Sequence, residues 1–191
     1  RRHIRVKVLQ TLYARHQSED QDQESQEKFL TQSLEQIQEL QALLLLLTVA
    51  VKDQAQKFTQ RSQQKYFASD QERNPSVNFI NNQLVALIEE NESLLEFAMN
   101  KKLKHWEQDD EYVIILFNRL KATKWYADYL ALAKPSFDQD RNFIVQFYRK
   151  ILAEDDKLYA YIEDKSLTWI DDFPWVNTAI VKGMNRVTIG P

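Results

Sequence analysis

Residues 29–51, FLTQSLEQIQELQALLLLLTVAV, contain the longest strongly apolar run of the chain and decide its fold. Their large side chains recur at intervals of three and four residues, at Phe29, Leu30, Leu34, Ile37, Leu40, Leu44, Leu47 and Val51. This spacing is typical of one face of an α-helix. Because no proline or glycine occurs before Pro75, we expect one helix from about Glu24 to about Tyr66, roughly 60 Å long at 1.5 Å per residue.

The overall composition also favours helices. The chain has 191 residues, of which 43% are hydrophobic, enough for a sizeable core in one domain or two small ones. Its only glycines are Gly183 and Gly190, and it has four prolines. β-Hairpins depend on Asn-Gly or Asp-Gly turns, and strands on glycine-marked bulges, so this composition disfavours a β-rich fold. We therefore expect an all-α protein.

A second helix is predicted after Asn74-Pro75, with Asn as the N-cap and Pro at the first helical position. Its apolar residues, from Val77 to Met99, have helical spacing, so it should pair with the first long helix as an antiparallel hairpin. Three further helices are predicted to begin at Asp109 or Asp110, at Asp138 or Asp140, and near Phe173-Pro174 with Asp172 as the N-cap. The expected architecture is a helical bundle of about six helices, with a long antiparallel helical hairpin inserted after the first one.

The first seventeen residues, RRHIRVKVLQTLYARHQ, are both basic and apolar. Five of them are Arg or Lys and none is acidic, although the formal net charge of the whole chain is −3. Arginines in a first helical turn meet the positive end of the helix dipole, which disfavours them by roughly a few tenths of a kcal/mol. On charge alone the stretch is either an anion-binding site or a frayed, solvated terminus.

Two other features allow a structural or a nucleic-acid interpretation. The basic run at residues 101–105, KKLKH, suits the C-terminal end of a helix dipole, or it extends a nucleic-acid surface. Aromatic residues at helical spacing usually belong to a core, but they can also stack on unpaired bases. The residues concerned are Tyr13, Tyr148, Tyr159, Tyr161, Trp169 and Trp175. Tyr13 differs from the rest because it lies on the same predicted helix as the N-terminal arginines.

Sequence signatures of catalysis are absent. The chain has no cysteine and therefore no disulfide, which fits the cytoplasmic location that we expect. It also has no glycine-rich phosphate loop. Its three histidines form neither a His-x-x-x-His nor a Glu-x-x-His pair. The acidic pairs Asp155-Asp156 and Asp171-Asp172 are interpreted as helix caps or exposed turn residues. We expect no enzyme, no metal, no cofactor and, because no apolar run reaches about 20 residues, no membrane span.

The first stretch resembles the opening helix of the NusB family of bacterial transcription antitermination factors. That family begins with Arg-Arg-x-x-Arg and closes this helix with Gln-x-Leu-Tyr, matched here by Arg1, Arg2, Arg5, Gln10, Leu12 and Tyr13. The resemblance implies an all-α fold that binds the boxA RNA element. It also implies a partner, the ribosomal protein NusE, and a role in keeping RNA polymerase elongating, notably in ribosomal RNA operons. A weaker resemblance covers residues 147–181, which look like the helix pair at the family's subdomain junction.

Residues 18–140 have no counterpart in compact members of that family. The resemblance therefore implies a NusB-like first helix at 1–17, a helical insertion at 18–140, and a NusB-like helix pair at 141–191 that packs with the first helix. The chain lacks an initiator Met and the family's closing Phe-x-Asn-Gly-Val-Leu-Asp run. We accordingly expect a fragment without the carboxyl-terminal subdomain.

The leading hypothesis is an RNA-binding antitermination factor. Its predicted RNA-binding residues are Arg1, Arg2, Arg5, Lys7 and Tyr13, with the arginines on phosphates and Tyr13 on a base. The residues expected to anchor this helix to the bundle are Val8, Leu9 and Leu12. The alternative is a helical protein-interaction or self-association module with no nucleic-acid ligand. In that hypothesis the apolar stripe from Leu40 to Val51 is left open for a partner.

Overall fold

The computed structural model describes residues 2–17, 23–64 and 75–188. Within these ranges the chain forms ten α-helices and no strand, which confirms the all-α prediction. The helices are α1 Arg2–Gln17, α2 Gln23–Gln63, α3 Gln83–Glu89, α4 Glu92–Lys101, α5 His105–Gln108, α6 Asp110–Lys121, α7 Lys124–Leu130, α8 Phe137–Lys150, α9 Asp156–Lys165 and α10 Leu167–Met184. A short 3₁₀ turn, Leu152–Glu154, joins α8 to α9.

Helix α2 is the centre of the bundle. It runs for 41 residues and ends within three residues of both predicted boundaries. The leucine-rich part is buried on several sides, because α1, α3, α4, α5, α6 and α10 all pack on this helix. The hydrophobic side chains of this part without exposed surface are Leu40, Leu43, Leu44, Leu47 and Val51. Burying one leucine contributes about 1.5–3 kcal/mol. The chain itself therefore covers much of the stripe on which the protein-interaction hypothesis rests, while Leu45, Leu46, Val49 and Ala50 are half-buried.

Three ring donors attach other helices to the α2 backbone. The bonds are Trp106 Nε1 to the Leu43 carbonyl at 2.7 Å, Tyr148 hydroxyl to the Leu44 carbonyl at 2.9 Å, and Trp169 Nε1 to the Gln36 carbonyl at 3.0 Å. A helical carbonyl accepts one N–H from the next turn, and its second lone pair remains available for such a donor. These bonds fix how α5, α8 and α10 lie along α2, although the bonded residues are 63 to 133 positions apart in sequence.

The helix expected after Asn74-Pro75 is replaced by two short helices. Asn74 lies outside the described residues, and Pro75 precedes a turn rather than a helix. Helix α3 begins after Asn82 and α4 after Asn91, and each Asn side chain accepts N–H groups from the first turn that follows it. Asparagine favours such caps over helix interiors. Both helices pack on α2, but the long second arm of the expected hairpin is not formed in the described part of the chain.

Neither Asp138 nor Asp140 opens α8 as expected. Ser136 does so, in a capping box with the residue three positions later. Asp140 is 2% exposed and accepts the Tyr129 hydroxyl at 2.6 Å and the Gln83 N–H at 2.9 Å. A carboxylate is favoured at the start of α3 by the helix dipole. Asp140 therefore joins three helices instead of capping its own.

The last helix begins earlier than expected. Helix α10 starts at Leu167, so Pro174 lies inside it and removes one helical hydrogen bond. Phe173 and Val176, which are 0% and 1% exposed, pack this part of the helix into the core. Their burial offsets a proline cost of about 3 kcal/mol. Asp172, the expected N-cap, instead lies in the second helical turn and is fully buried.

The predicted insertion and the predicted helix pair share one hydrophobic core. Leu44 and Phe117 from residues 18–140 belong to the same buried cluster as Phe147 and Ile162 from residues 141–191. In the described part of the chain, the segment after α1 therefore supplies the central helix on which the later helices pack.

Tyr148→Phe tests the contact between α8 and α2. The Tyr148 hydroxyl lies 2.9 Å from the Leu44 carbonyl and 2.8 Å from Thr48 Oγ1, and both contacts are buried. Removing this hydroxyl should lower the free energy of unfolding in urea by about 1–2 kcal/mol, because buried polar groups are left with one partner fewer. Tyr159→Phe, on a half-buried ring that packs edge-on against Phe173, is the matched control. A decrease of the same size in the control would contradict the prediction.

Candidate nucleic-acid interface on the first helix

Helix α1 presents a mixed apolar and basic surface to solvent. Its large exposed hydrophobic side chains are Ile4, Val6, Leu9, Leu12 and Tyr13. Arg5 is exposed as well. At 100° per residue, Arg5, Leu9, Leu12 and Tyr13 fall on one side of the helix, which we call the outer face. Leu9 and Tyr13 have the largest exposed fractions among its hydrophobic side chains, 67% and 65%.

Lys7 lies on the opposite side of α1, inside the bundle. It is 8% exposed, and its ammonium is 2.9 Å from Oδ2 of Asp172 on α10, whose side chain has no exposed surface. A buried ammonium held by a carboxylate is not available to an RNA phosphate, so Lys7 does not belong to the exposed interface. Lys7 and Arg5 are 200° apart around the helix axis. When the Lys7 side chain faces the bundle, Arg5 therefore faces solvent. The interpretation of Asp172 as a cap or exposed turn residue is also wrong.

The residues that hold α1 to the bundle are not the expected anchors. Leu9 and Leu12 are exposed, and Val8 is half-buried. The buried side chains of α1, among those described, are Lys7 and Thr11, and the Thr11 hydroxyl donates to the Lys7 carbonyl at 2.9 Å. Helix α1 therefore docks through a largely polar side and leaves much of its apolar arc in contact with solvent.

Of the remaining predicted RNA contacts, two are placed together. Arg5 and Tyr13 share the outer face and are eight residues apart, about 12 Å along the helix axis. The Tyr13 hydroxyl accepts a hydrogen bond from Gln17 Nε2 at 3.1 Å, while most of the residue stays exposed. Arg1 and the side chain of Arg2 lie outside the described residues.

The other aromatic residues considered for base stacking contribute to the core. Tyr148 and Trp169 are 0% and 5% exposed, and Tyr159, Tyr161 and Trp175 are half-buried against the same hydrophobic cluster. Burial raises the pKa of the Tyr148 hydroxyl far above its ordinary value. Tyr13 is thus the one member of the set with a broadly exposed ring.

The basic run at residues 101–105 is only partly paired, because Lys102 and Lys104 are exposed to solvent. Lys101 Nζ lies 2.8 Å from Glu35 Oε2 and 3.1 Å from Glu39 Oε1, both on α2. His105 is half-buried at the start of α5, and this burial, with the nearby charge of Lys165, lowers its pKa. Lys101 and His105 therefore serve the fold, as the structural interpretation of the run expects, while Lys102 and Lys104 are exposed cations.

The described residues contain no group of three or more His, Asp or Glu side chains placed to hold a metal ion.

Helix α2 does contain, within Glu27–Gln63, an 18-residue window of mean hydropathy 1.4 that could cross a membrane by length and composition. In the bundle, 44% of that window is buried, and core helices meet the same criterion. Of the predicted RNA-binding residues, the outer face of α1 presents Arg5 and Tyr13.

Lys7→Met should destabilise the protein, whereas Arg5→Met should not. The first change leaves the buried carboxylate of Asp172 without the charge of Lys7, and removing one partner of a buried ion pair costs about 3–5 kcal/mol. The second removes an equal charge from the exposed side of α1, where substitutions change stability by about 0.5 kcal/mol or less. Urea unfolding of the two variants checks this. Equal stabilities would mean that the Lys7–Asp172 pair does not fix α1.

No protein-family model matches this chain, and comparison with curated proteins and with solved structures finds no significant similarity. The NusB resemblance accordingly rests on the residues of α1 and on the weaker pattern at 147–181.

Proposed function

We propose that this protein binds single-stranded RNA along the outer face of α1. The observation that carries the proposal is the exposure of Arg5 and Tyr13 on one side of a helix whose sequence has four lysine or arginine residues and no acidic one. A guanidinium is suited to phosphate oxygens, and an exposed tyrosine ring offers a stacking platform to an unpaired base. The helix places the Arg5 guanidinium and the Tyr13 ring about 12 Å apart along its axis.

The start of α1 adds a second attraction for phosphate. The first four N–H groups of a helix have no partner within it, and the helix dipole places positive charge at that end. An anion bound there would also relieve the repulsion between this dipole and the N-terminal arginines. No acidic residue occurs in the first turn of α1, so no side chain of that turn competes with the phosphate for these groups.

The biological role follows from the resemblance and forms part of the proposal. An RNA-binding first helix of this type suggests a transcription antitermination factor that recognises a boxA-like element. In that role the protein would act with the ribosomal protein NusE on elongating RNA polymerase. The formal charge of −3 for the whole chain favours a local basic footprint over general nucleic-acid binding.

Combined Arg2→Ala and Arg5→Ala substitutions test the phosphate contacts. Binding of a boxA-like single-stranded RNA should weaken, and the slope of log affinity against log salt should flatten by about 0.7 for each phosphate that the protein no longer neutralises. Combined Arg149→Ala and Lys157→Ala substitutions remove the same charge from exposed positions on other helices and should leave the slope unchanged. An unaltered affinity and slope in the first variant would refute RNA binding by α1.

Tyr13→Ala and Tyr13→Phe separate stacking from hydrogen bonding. Stacking of a base on an aromatic ring is worth about 1–3 kcal/mol, so Tyr13→Ala should weaken binding of the same RNA by about 5- to 150-fold. Tyr13→Phe keeps the ring and removes only the hydroxyl that Gln17 contacts, so its affinity should stay close to wild type. If both variants bind like wild type, Tyr13 does not contact a base.

A further inference from the structure

Helix α4 packs on α2 without burying any of its own side chains. Most of its residues are exposed to solvent, and Met99 is 78% exposed. Leu94 is the α4 side chain that packs against the hydrophobic cluster, and it is only half-buried. The helices on either side of α4 differ in this respect, because α3 buries Val85 completely and α5 buries Trp106. Elements with few buried apolar contacts open more readily than the core.

The contact between α4 and α2 is also poorly packed. Two cavities, of about 400 and 300 Å³, lie beside it. Leu94 of α4 and Leu45 of α2 line both cavities, and the smaller one also reaches Phe97. A side chain that lines a cavity lacks partner atoms on that side and loses the dispersion attraction of close packing. The few apolar contacts that α4 makes are therefore weaker than those of a close-packed helix.

A group of three charged side chains attaches the C-terminal end of α4 to α2. Lys101 Nζ lies 2.8 Å from Glu35 Oε2 and 3.1 Å from Glu39 Oε1, and we call these two contacts the Lys101 latch. The hydrogen bonds to the two carboxylates raise the pKa of Lys101. All three side chains are partly exposed, and salt weakens ion pairs that solvent can reach. The attachment of α4 should therefore depend on ionic strength.

The backbone changes direction at both ends of α4. Asn91 lies in extended conformation before the helix and caps its first turn. Lys102 follows the helix with φ at 55°, and it is the one non-glycine residue with a positive φ in the described part of the chain. This left-handed conformation is unfavourable for residues with a Cβ atom. The two breaks separate α4 from α3 and α5, so α4 can lose its structure while both neighbours stay folded.

We propose that α4 is a cover on α2 that opens by local unfolding of residues 91–102 while the rest of the bundle stays folded. The Lys101 latch holds the cover closed, and rising ionic strength releases it. Opening exposes Ala42 and Leu45, two α2 residues that line the cavities beside α4. Ionic strength thereby controls how much of the leucine-rich stripe of α2 meets solvent. The proposal does not depend on RNA binding, which concerns the outer face of α1.

Amide hydrogen exchange of the native chain tests whether α4 opens alone. The N–H groups of residues 96–101 should exchange at least about a hundredfold faster than those of residues 43–47 in α2. Urea should speed the exchange of α4 only slightly, because local opening exposes little surface. Raising NaCl from about 0.05 to about 0.5 M should increase the exchange rate of α4 further.

Lys101→Met tests the latch. The exchange rate of residues 96–101 should rise by about 2- to 5-fold at low salt, as expected for the loss of a partly exposed ion pair, and its salt dependence should disappear. Lys124→Met is the matched control, because it removes an equal charge and an ion pair with Asp128 from the exposed surface of α7. This control should leave the exchange of α4 unchanged.

Lys102→Gly should have the opposite effect. Glycine adopts the left-handed conformation without steric penalty, so the closed helix gains stability and exchange of α4 should slow by about 3- to 10-fold. Lys102→Ala removes the same charge but keeps the penalty, and its exchange should stay close to that of the wild type.

Three results would overturn the proposal. If residues 96–101 exchange as slowly as residues 43–47 and with the same urea dependence, α4 opens only when the whole bundle unfolds. If residues 85–89 of α3 exchange as fast as α4, the opening unit is not α4 alone. If neither salt nor Lys101→Met changes the exchange rate, the Lys101 contacts do not hold α4 closed.

Discussion

The burial of helix α2 is the constraint on which the rest of the structure depends. Five consecutive leucines at residues 43–47 make this helix apolar around its whole circumference, and such a helix is stable in water only when other elements cover it. Helices from both the first and the last part of the chain supply that cover. Because α2 accepts ring N–H and O–H donors from three of the later helices, its backbone also sets their positions.

Much of the fold could be predicted because helical periodicity is a local property. The long apolar repeat of α2 predicted both of its ends to within three residues. The predicted start of α8 was wrong because a polar residue near it has a distant partner. Asp140 accepts a hydrogen bond from the Gln83 N–H at the start of α3 instead of capping α8. The true cap of α8 had a local signal, since Ser136 and Gln139 have the spacing of a capping box. Asn82 and Asn91 also had a local signal, because asparagine favours the ends of helices over their interiors.

The candidate site could be predicted only in part. Spacing alone places Arg5 and Tyr13 on the same side of α1, but it does not say which side faces the bundle, because apolar residues occupy both. The buried carboxylate of Asp172 decides this. Leaving Leu9 and Leu12 exposed gives up about 1.5–3 kcal/mol of stability for each side chain. Separating the buried carboxylate of Asp172 from the Lys7 ammonium would cost several kcal/mol of stability. A partner 165 positions away in the sequence therefore outweighs the local hydrophobic pattern.

The long sequence separation between α2 and its cover has a consequence during synthesis. Leu44 precedes its partner Tyr148 by 104 residues. At about 5–20 residues per second, the ribosome needs roughly 5–20 s to produce the second half of this contact after the first. For that interval the leucines of α2 have only the nearer helices to cover them. The nascent chain should therefore engage chaperones that recognise exposed leucine-rich segments until α8 and α10 emerge.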